Sequence, residues 1–531
     1  MKRRTGPLLG AVLVLASALI APAAPAAAQG GGGSPHPVVT LAQGALRGQT
    51  RDGAQEFLGV PYAAPPVGDA RLRAPRPPAR WSGVREADRQ APACLQFSPF
   101  GLRDPAAVSE DCLYLDVYRP RSARPGARLP VIVWMHGGAY SQGTGTQFGG
   151  RTMAELTQTV VVSINYRLGQ LGYLELPDLT GPREVRSGSF GLMDQISALR
   201  WTRENIAAFG GNPQSVTVSG QSAGSGSVCA LLAAPSAAGL FHRAVLQSGP
   251  CTLLRTPDRA RAEGLAREFA ARAGCGGPAG VAACLRGASG AALVEAARTV
   301  AAPGPASGDG LLPVDPERAV RSGAWNKVPV LIGSTRSEGR FFVALTQPDL
   351  TRQQYTAQVL AEYGAAGPEV LARYPVEAHG SPYLALSAVL TDSTFACHSA
   401  WTAELFAGQV PTFAYEFDDP RSPTLAGAQV PGLDQSNGHS AELAYLHDFT
   451  MGERPLTPVQ VALATRMKRY WGAFARSGAP VVPGQAPWPA AVPGSGVAPV
   501  LTLGPVRTDP GSSFGADHQC AFWRTRPDRP I

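Results

Sequence analysis

The chain has 531 residues, of which 44% are apolar and 16% are charged, and its formal net charge at pH 7 is +8. This composition provides enough apolar side chains for a large core and excludes a disordered or fibrous protein. The basic residues form no continuous block and no aromatic-spaced stripe, so the sequence predicts no nucleic-acid partner.

The first 28 residues have the pattern of a secretory signal peptide. Basic residues at positions 2–4 precede an apolar run at 8–20 that is short for a membrane anchor, and small residues follow as at a cleavage site. We therefore expect residues 1–28 to be removed, which leaves a secreted, extracellular protein without a stable membrane anchor. A Gly-rich segment at 29–35 predicts a flexible linker, and we expect residues 36–531 to form one domain.

Continuous apolar runs indicate the first buried strands. Residues 129–135 and 160–164 are almost wholly apolar, which is typical of strands buried on both faces of a parallel sheet. Before them, residues 38–47 indicate an edge hairpin, and the prolines in residues 57–68 exclude a regular helix and indicate an ordered loop. A helix is predicted over 191–209 from its apolar face. Its place between strands predicts a right-handed crossover in a doubly wound sheet.

The next strand leads into a short turn with a chemical motif. Val216 and Val218 alternate with polar residues, as in a strand, and Gly220-Gln221-Ser222-Ala223-Gly224 follows. The apolar stretch at 228–234 predicts a helix, so this G-x-S-x-G lies in the strand–turn–helix context that it needs. In such a turn the serine takes a strained backbone conformation with its hydroxyl exposed, and glycines leave room for the neighbouring elements. The helix directs backbone N–H groups towards the serine.

The second half of the chain predicts further helices and strands. An Ala- and Arg-rich region at 256–302 indicates helices outside the sheet, the first of them starting at Thr256-Pro257. Strands are predicted at 328–332 and 412–417. A helix from Thr457-Pro458 to Gly478 and a last strand at 500–503 complete the predicted elements.

Three features then occur together: the serine turn, a His-Gly-Gly-Ala turn after a buried strand, and a Ser-Glu-Gly after a later strand. With them, the sequence resembles the carboxylesterase/cholinesterase family (type-B carboxylesterases) of α/β-hydrolases over nearly the whole length that follows the predicted signal. The shared motifs are F-L-G-V-P-Y-A-A-P-P-V-G at 57–68, S-E-D-C-L-Y-L at 109–115, H-G-G-A-Y at 136–140, G-L-M-D-Q at 191–195, F-G-G-N-P-Q-S-V-T at 209–217 and G-H-S-A-E-L at 438–443. The resemblance implies an α/β-hydrolase fold, in which a doubly wound, mostly parallel sheet carries helices on both faces and inserted helices and loops over the active site.

The resemblance also implies the site residues. Ser222 matches the nucleophile of the family, Glu338 in S-E-G matches the acid, and His439 in G-H-S-A-E-L matches the general base. Chemistry gives the same roles, because a serine hydroxyl needs a base to take its proton and a carboxylate to orient that base. The resemblance places the oxyanion hole at the backbone N–H groups of Gly138, Ala139 and Ala223.

Other titratable residues in or near these motifs receive lesser roles. We expect His136 to shape its turn and not to transfer protons. Asp309 and Asp434 are reserve candidates for the acid. Glu442 and Asp194 are expected to be structural, orienting loops or accepting buried hydrogen bonds.

The eight cysteines of an exported chain predict disulfides, although the sequence alone leaves their pairing open. No C-x-x-C and no zinc-type Cys/His spacing occurs, so no metal site is predicted. The family resemblance implies the bridges Cys94–Cys112, Cys275–Cys284 and Cys397–Cys520. Cys229 and Cys251 remain and would then pair, with a free buried thiol at Cys229 as the open alternative.

Two departures from the family narrow the expected substrate. Gln221 precedes the serine where the family usually has Glu, which removes a negative charge beside the site. The loop from Cys94 to Cys112 lacks the Trp on which cholinesterases stack choline, and cation recognition depends on such aromatic faces. The sequence therefore does not predict a cholinesterase.

The expected function is that of a secreted serine hydrolase of carboxylic esters. It would act on small-molecule esters with short to medium chains through an acyl-enzyme on Ser222, without a metal or organic cofactor. A lipase for longer-chain glycerides is the alternative within the same chemistry. A non-catalytic adhesion or binding module is the alternative of another class, and the presence of every triad position disfavours it. The oligomeric state is left open, with a monomer favoured.

Overall fold

The computed structural model describes residues 36–97, 108–179, 188–253, 256–277, 280–301, 303–425, 429–448, 455–494, 498–506, 508–511 and 513–526. The predicted signal peptide at 1–28 and the predicted linker at 29–35 lie outside the described residues. Within the described ranges, no helix is both long enough and apolar enough to cross a membrane.

A large, mostly parallel sheet forms the centre of the structure. The strands are β1 (Val38–Thr40), β2 (Ala45–Arg47), β3 (Gln49–Arg51), β4 (Ala54–Pro61), β5 (Val84–Glu86), β6 (Ala93–Cys94), β7 (Val108–Ser109), β8 (Tyr114–Pro120), β9 (Leu129–Met135), β10 (Val160–Ile164), β11 (Gly211–Gln221), β12 (Arg243–Gln247), β13 (Val330–Thr335), β14 (Thr412–Phe417), β15 (Val500–Leu503) and β16 (Thr508–Gly511). In the described part of the chain, the eleven strands of the main sheet lie in the order β16-β15-β14-β13-β12-β11-β9-β10-β8-β4-β3. The block from β15 to β10 is parallel, whereas β16 at one edge and β8, β4 and β3 at the other are antiparallel.

Helices cover both faces of this sheet, and many of them lie in the long connections between its later strands. They are α1 (Arg151–Thr157), α2 (Gly169–Gly172), α3 (Phe190–Asn205), α4 (Ala223–Ala233), α5 (Arg259–Arg272), α6 (Val281–Gly287), α7 (Gly290–Ala297), α8 (Pro316–Ser322), α9 (Gly339–Thr346), α10 (Arg352–Tyr363), α11 (Gly367–Arg373), α12 (Val376–His379), α13 (Pro382–Leu390), α14 (Cys397–Ala407), α15 (Leu443–Leu446), α16 (Pro458–Ser477), α17 (Phe514–Asp517) and α18 (Cys520–Arg524). The insertion between β13 and β14 comprises α9 to α14, and a π-helical segment at Thr391–Ala396 joins α13 to α14.

Strand β9 shows why the central strands are apolar along their whole length. Val131 and Val133 pack in the core that contains the apolar faces of α3 and α4. Ile132 and Trp134 point to the opposite face and pack in the core that contains α16. Because successive side chains of a strand point to opposite faces, both sets must be apolar when helices cover both. The predicted doubly wound sheet is therefore confirmed, and each such side chain contributes roughly 1.5–3 kcal/mol by burial.

The strands predicted at 129–135, 160–164, 412–417 and 500–503 coincide with β9, β10, β14 and β15. The predicted last long helix is confirmed as α16. Its N-cap Thr457 accepts a hydrogen bond from the N–H of Gln460 in a capping box, and it ends at Gly478, which has φ 80°. The helix predicted over 191–209 is α3, followed by a 3₁₀ turn at Ile206–Phe209.

The loop predicted over residues 57–68 is wrong in its first part. Strand β4 continues to Pro61 and pairs with β8, with a register shift between Phe57 and Val60. Gly59 lies in this bulge with φ 64°, and its N–H donates to the Asp116 carboxylate at 2.8 Å. A bulge places an extra residue in the strand, which lets the strand accommodate Gly59 and continue to a terminal proline.

One predicted hairpin and one predicted helix start also differ from the structure. The hairpin at 38–47 is present as β1 and β2, but it belongs to a separate three-stranded sheet with β5. Helix α5 starts after Asp258, whose carboxylate accepts from the N–H of Arg261, and not at Thr256-Pro257. Thr256 instead donates to the carboxylate of Asp315.

Disulfides join all eight cysteines of the chain. The pairs are Cys94–Cys112, Cys229–Cys251, Cys275–Cys284 and Cys397–Cys520. Cys229 is therefore not a free thiol. The bridge with the largest sequence separation, 123 residues, ties α18 to α14. In the chain-entropy description, a loop of that length contributes about 5 kcal/mol to stability.

Candidate active site

Ser222 lies at the junction of β11 and α4, where the backbone is strained. It has φ 57° and ψ −125°, and its side chain is partly exposed. A Cβ on Gly220 would lie 2.3 Å from the carbonyl oxygen of Gly224, and a Cβ on Gly224 would lie 2.1 Å from that of Met135. Only glycine fits at either position. Helix α4 begins at Ala223, directly after the serine and earlier than the predicted helical stretch, so its first N–H groups point at the turn.

The turn after β9 packs directly against this serine. A Cβ added to Gly137 would lie 3.1 Å from Ser222 Cβ. Gly138 and Ala139 have φ values of 106° and 52°, and the carbonyl of Gly138 accepts hydrogen bonds from the following turn. Within the described residues, the N–H groups of Gly138 and Ala139 donate no backbone hydrogen bond. Two donors beside Ser222 are thus available to a ligand.

His136 supports this turn, and no hydrogen bond joins its ring to Ser222 among the described residues. Its ring stacks on Tyr166 with a centroid distance of 4.4 Å, and its Nδ1–H donates to the carbonyl of Gly137 at 2.8 Å. Burial lowers the pKa of His136 to about 4, so the ring is neutral at neutral pH. A Cβ on Gly143 would lie 2.5 Å from His136 Nδ1, so the ring fills the turn.

Glu338 and His439 form a buried hydrogen-bonded pair. Their side chains are 0% and 4% exposed, and His439 Nδ1 lies 2.5 Å from Glu338 Oε2. The other carboxylate oxygen, Oε1, accepts from the N–H of Thr335 at 2.8 Å. Glu338 stands between the end of β13 and the start of α9. Because the carboxylate accepts a hydrogen bond, Nδ1 carries the proton in the neutral ring and Nε2 carries the lone pair.

The second ring nitrogen of His439 faces the serine turn. Its Nε2 lies 3.1 Å from Nε2 of Gln221, the residue before Ser222. No hydrogen bond joins Ser222 to His439 among the described residues. The structure therefore places His439 between Glu338 and the turn that bears Ser222, and its present partner in that turn is Gln221.

Aromatic rings surround the His439 imidazole. The centroid distances are 4.8 Å to Phe342, 5.2 Å to Phe395 and 5.9 Å to Phe341. Sequence reasoning missed these residues, although two of them follow Glu338 within one helical turn. Phe342 also borders a cavity of about 270 Å³, whose lining includes Val359, Leu386 and Val389.

A second buried carboxyl group, Glu442, lies behind the pair. Its Oε1 accepts a hydrogen bond from Gln247 at 3.2 Å, and its Oε2 has no partner among the described residues. Burial, followed by the negative charge of Glu338, raises the pKa of Glu442 to about 7. A group that titrates near neutral pH is thus coupled to the histidine pair.

The remaining acidic candidates are bonded elsewhere. Asp309 accepts from two N–H groups in its own turn. Asp434 pairs with Arg340 at 2.6 Å, and Asp194 pairs with Arg167 at 2.7 Å in the protein interior. None of these three carboxylates is hydrogen-bonded to His439 in the described structure. In the same residues, no group of three or more His, Cys, Asp or Glu side chains is arranged to hold a metal ion.

Comparison with known proteins places the chain in a family. The model described as "Carboxylesterase family" matches residues 35–523. The chain is 33% identical over 469 residues to para-nitrobenzyl esterase of Bacillus subtilis (strain 168), which covers 84% of this chain and 91% of that one. It is 32% identical over 464 residues to cocaine esterase of Homo sapiens, which covers 82% of each chain. A solved structure of PNB esterase matches it with a TM-score of 0.74 and 30% identity over 91% of this chain and 99% of that chain. The chain therefore belongs to the carboxylesterase family and is a carboxylic-ester hydrolase with the α/β-hydrolase fold.

Proposed function

We propose that this carboxylesterase uses Ser222 as nucleophile, His439 as general base and Glu338 as the acid that orients the base. The observation that carries this proposal is the buried hydrogen bond between His439 Nδ1 and Glu338 Oε2, 2.5 Å long. This bond fixes the ring so that the Nε2 lone pair faces the turn that bears the serine.

In the first half of the reaction, Ser222 Oγ attacks the ester carbonyl carbon while His439 Nε2 takes the hydroxyl proton. The carbonyl oxygen gains negative charge, and the N–H groups of Gly138, Ala139 and Ala223 are the donors proposed to stabilise it. The intermediate then collapses, the bond to the alcohol oxygen breaks, and His439 gives its proton to the leaving alcohol. Water attacks the acyl-enzyme with the same base, which releases the carboxylic acid and restores the serine. Each step uses side chains, backbone and water.

The proposed cycle requires Ser222 Oγ to come within hydrogen-bond reach of His439 Nε2. Such bonds often form or tighten only when the substrate is bound. We infer that the substrate carbonyl, held by the three N–H groups, brings the serine hydroxyl to the base.

We infer that the substrates are small-molecule esters with short to medium acyl chains. Para-nitrobenzyl esterase and cocaine esterase, to which this chain is similar, are named for small esters. The cavity bordered by Phe342, whose ring packs against His439, has a volume of about 270 Å³ and so offers a limited space. A limited cavity favours acyl chains of moderate length over long ones.

Initial rates of hydrolysis of p-nitrophenyl esters with increasing acyl length test both parts of the proposal. Wild type, Ser222→Ala and the control Ser225→Ala are compared as oxidised, folded proteins. Ser225 lies in α4, the helix that follows Ser222, and its hydroxyl donates to the carbonyl of Gly249 at 2.7 Å. We expect activity on short and medium chains in wild type and the control, and a loss of at least about 10³-fold in Ser222→Ala.

Different outcomes would contradict different parts. Full activity of Ser222→Ala would refute the assigned nucleophile. A preference for long chains that increases above the solubility limit of the substrate would refute the short-chain inference and favour a lipase.

We also propose that the protein is secreted. The support is the N-terminal pattern of residues 1–28 together with the four disulfides, which form in oxidising compartments. N-terminal sequencing of protein recovered from the culture medium should begin at Gln29, whereas retention of residues 1–28 in the cells would refute the proposal.

A further inference from the structure

The hydrogen bond between Gln221 and His439 has a fixed direction. Glu338 accepts from Nδ1, so the neutral ring of His439 has its lone pair at Nε2. The group that lies 3.1 Å from this lone pair is the amide nitrogen of Gln221, which can only donate. Gln221 is 2% exposed and His439 is 5% exposed, so water does not compete freely for either partner.

This bond stabilises one protonation state of the base. An amide N–H that donates to Nε2 favours the neutral imidazole, because a protonated Nε2 would face a second donor. A carboxylate in the same place could only accept, and it would favour the imidazolium. The identity of residue 221 therefore decides how easily the ring is freed of a proton before it takes one from the serine.

We propose that Gln221 is a positioning residue that holds His439 in its neutral, proton-accepting form and so extends ester hydrolysis to lower pH. This inference rests on the proposed role of His439 as general base.

Two carboxyl groups of the described residues act on the ring. Glu338 bonds Nδ1, and Glu442 interacts electrostatically with the ring from the same loop. The rings of α9 and of the π-helical segment that pack against the imidazole belong to Phe341, Phe342 and Phe395, which are uncharged. Both carboxyl groups remain in variants at position 221, so a change in pH dependence reports on that position.

The experiment measures kcat/KM for one p-nitrophenyl ester against pH in wild type, Gln221→Glu, Gln221→Met and Gln214→Glu. Gln221→Glu keeps the shape of the side chain and adds a carboxylate. Gln221→Met keeps the length of the side chain and removes the hydrogen-bond donor. Gln214 is exposed at the start of the same strand, so its variant adds the same charge far from the base. Unfolding midpoints of all four proteins establish that they are folded.

We expect the pH at which kcat/KM falls to half on the acid side to rise by about 1 to 3 units in Gln221→Glu, as for an imidazole beside a carboxylate. In Gln221→Met the same point should rise by a smaller amount, and in Gln214→Glu it should match wild type. Coincident acid limbs for wild type and either variant at position 221 would overturn the proposal. Should Gln221→Glu not fold, the Met variant decides alone.

Failure of the proposed function gives a different result. His439→Gln removes the base but leaves Gln221 in place, and we expect it to lose at least about 10³-fold in kcat. If this variant kept full activity, the assignment of the base would fail whatever the profiles of the variants at position 221. If it were inactive and those profiles were unchanged, only the role of Gln221 would fail.

Discussion

Replacement of Glu442 by glutamine should increase the resistance of the fold to urea, and the increase should depend on pH. Glu442 is 0% exposed, and its side chain accepts a hydrogen bond from Gln247 at 3.2 Å. Burial and the charge of Glu338 raise the pKa of Glu442 from 4.5 to about 7. The group is thus protonated in the folded protein over a pH range in which it is ionised in the unfolded chain.

This difference in pKa determines how the free energy of unfolding changes with pH. The stability associated with the raised pKa of Glu442 is complete below about pH 4.5 and is lost as the pH rises to about 7. At about 1.4 kcal/mol per pH unit, the loss over this window is about 3 kcal/mol. Glutamine resembles the protonated acid and cannot ionise, so the variant keeps the stability that wild type loses.

The assay is urea-induced unfolding, followed by tryptophan fluorescence with the disulfides intact, at pH 4.5 and pH 8. The free energies of unfolding of wild type and Glu442→Gln should agree at the lower pH and differ by up to about 3 kcal/mol at the higher one. Glu204→Gln, which removes the same charge from an exposed position, should follow wild type at both values. A difference between Glu442→Gln and wild type that does not change with pH would refute the reasoning.

Further predictions concern two backbone glycines, the aromatic ring of Phe342 beside His439 and a buried ion pair. Gly224→Ala should lower the unfolding midpoint sharply or prevent folding, because its Cβ would lie 2.1 Å from a main-chain oxygen at the end of β9. The control Gly264→Ala in α5 should stabilise the fold by about 1 kcal/mol, because a Cβ there would have no atom within 4 Å. Phe342→Ala should raise kcat/KM for longer relative to shorter acyl esters by about tenfold, because it opens the His439 site to the adjacent cavity, and an unchanged ratio would contradict this. Asp392→Asn should cost about 3–5 kcal/mol of unfolding free energy at pH 6, because it removes a partner of the buried His518 imidazolium. The Asp392 and Glu416 carboxylates raise the pKa of His518 from 6.5 to about 10, so this contribution is complete below about pH 6.5 and should vanish as the pH rises through about 10.

The sequence predicts those parts of the site that a local motif determines. Gly220 and Gly224 are required by contacts within a few residues or with the adjacent strand, and their spacing around Ser222 is therefore informative. The contact of Gln221 with His439 joins residues 218 positions apart, and no local pattern indicates it. The predicted start of α5 at Thr256 is wrong for a similar reason. The N–H of Thr256 donates to the carboxylate of Asp315, which lies 59 residues further along the chain.

The site residues meet because of where the parallel strands end. The turn at 136–140 follows β9, Ser222 follows β11 and Glu338 follows β13, and these strands run in the same direction in one sheet. Their ends are held in register: Met135 pairs with Gly220, and Gln221 pairs with Gln247 of β12. Hydrogen bonds along the whole ladder thus fix the spacing of Ser222, the turn at 136–140 and the proposed acid Glu338.

His439 is the exception, since it lies in the long connection between β14 and β15 and no strand end positions it. It is held instead by two hydrogen bonds, one that its Nδ1–H donates to Glu338 and one that its Nε2 accepts from Gln221, and by packing against Phe342 and Phe395. The proposed base is therefore the member of the site whose protonation and position depend most on neighbouring side chains. For that reason, changes at residues 221, 342 and 442 should alter pH dependence and chain-length preference while the sheet, the serine turn and the N–H donors remain in place.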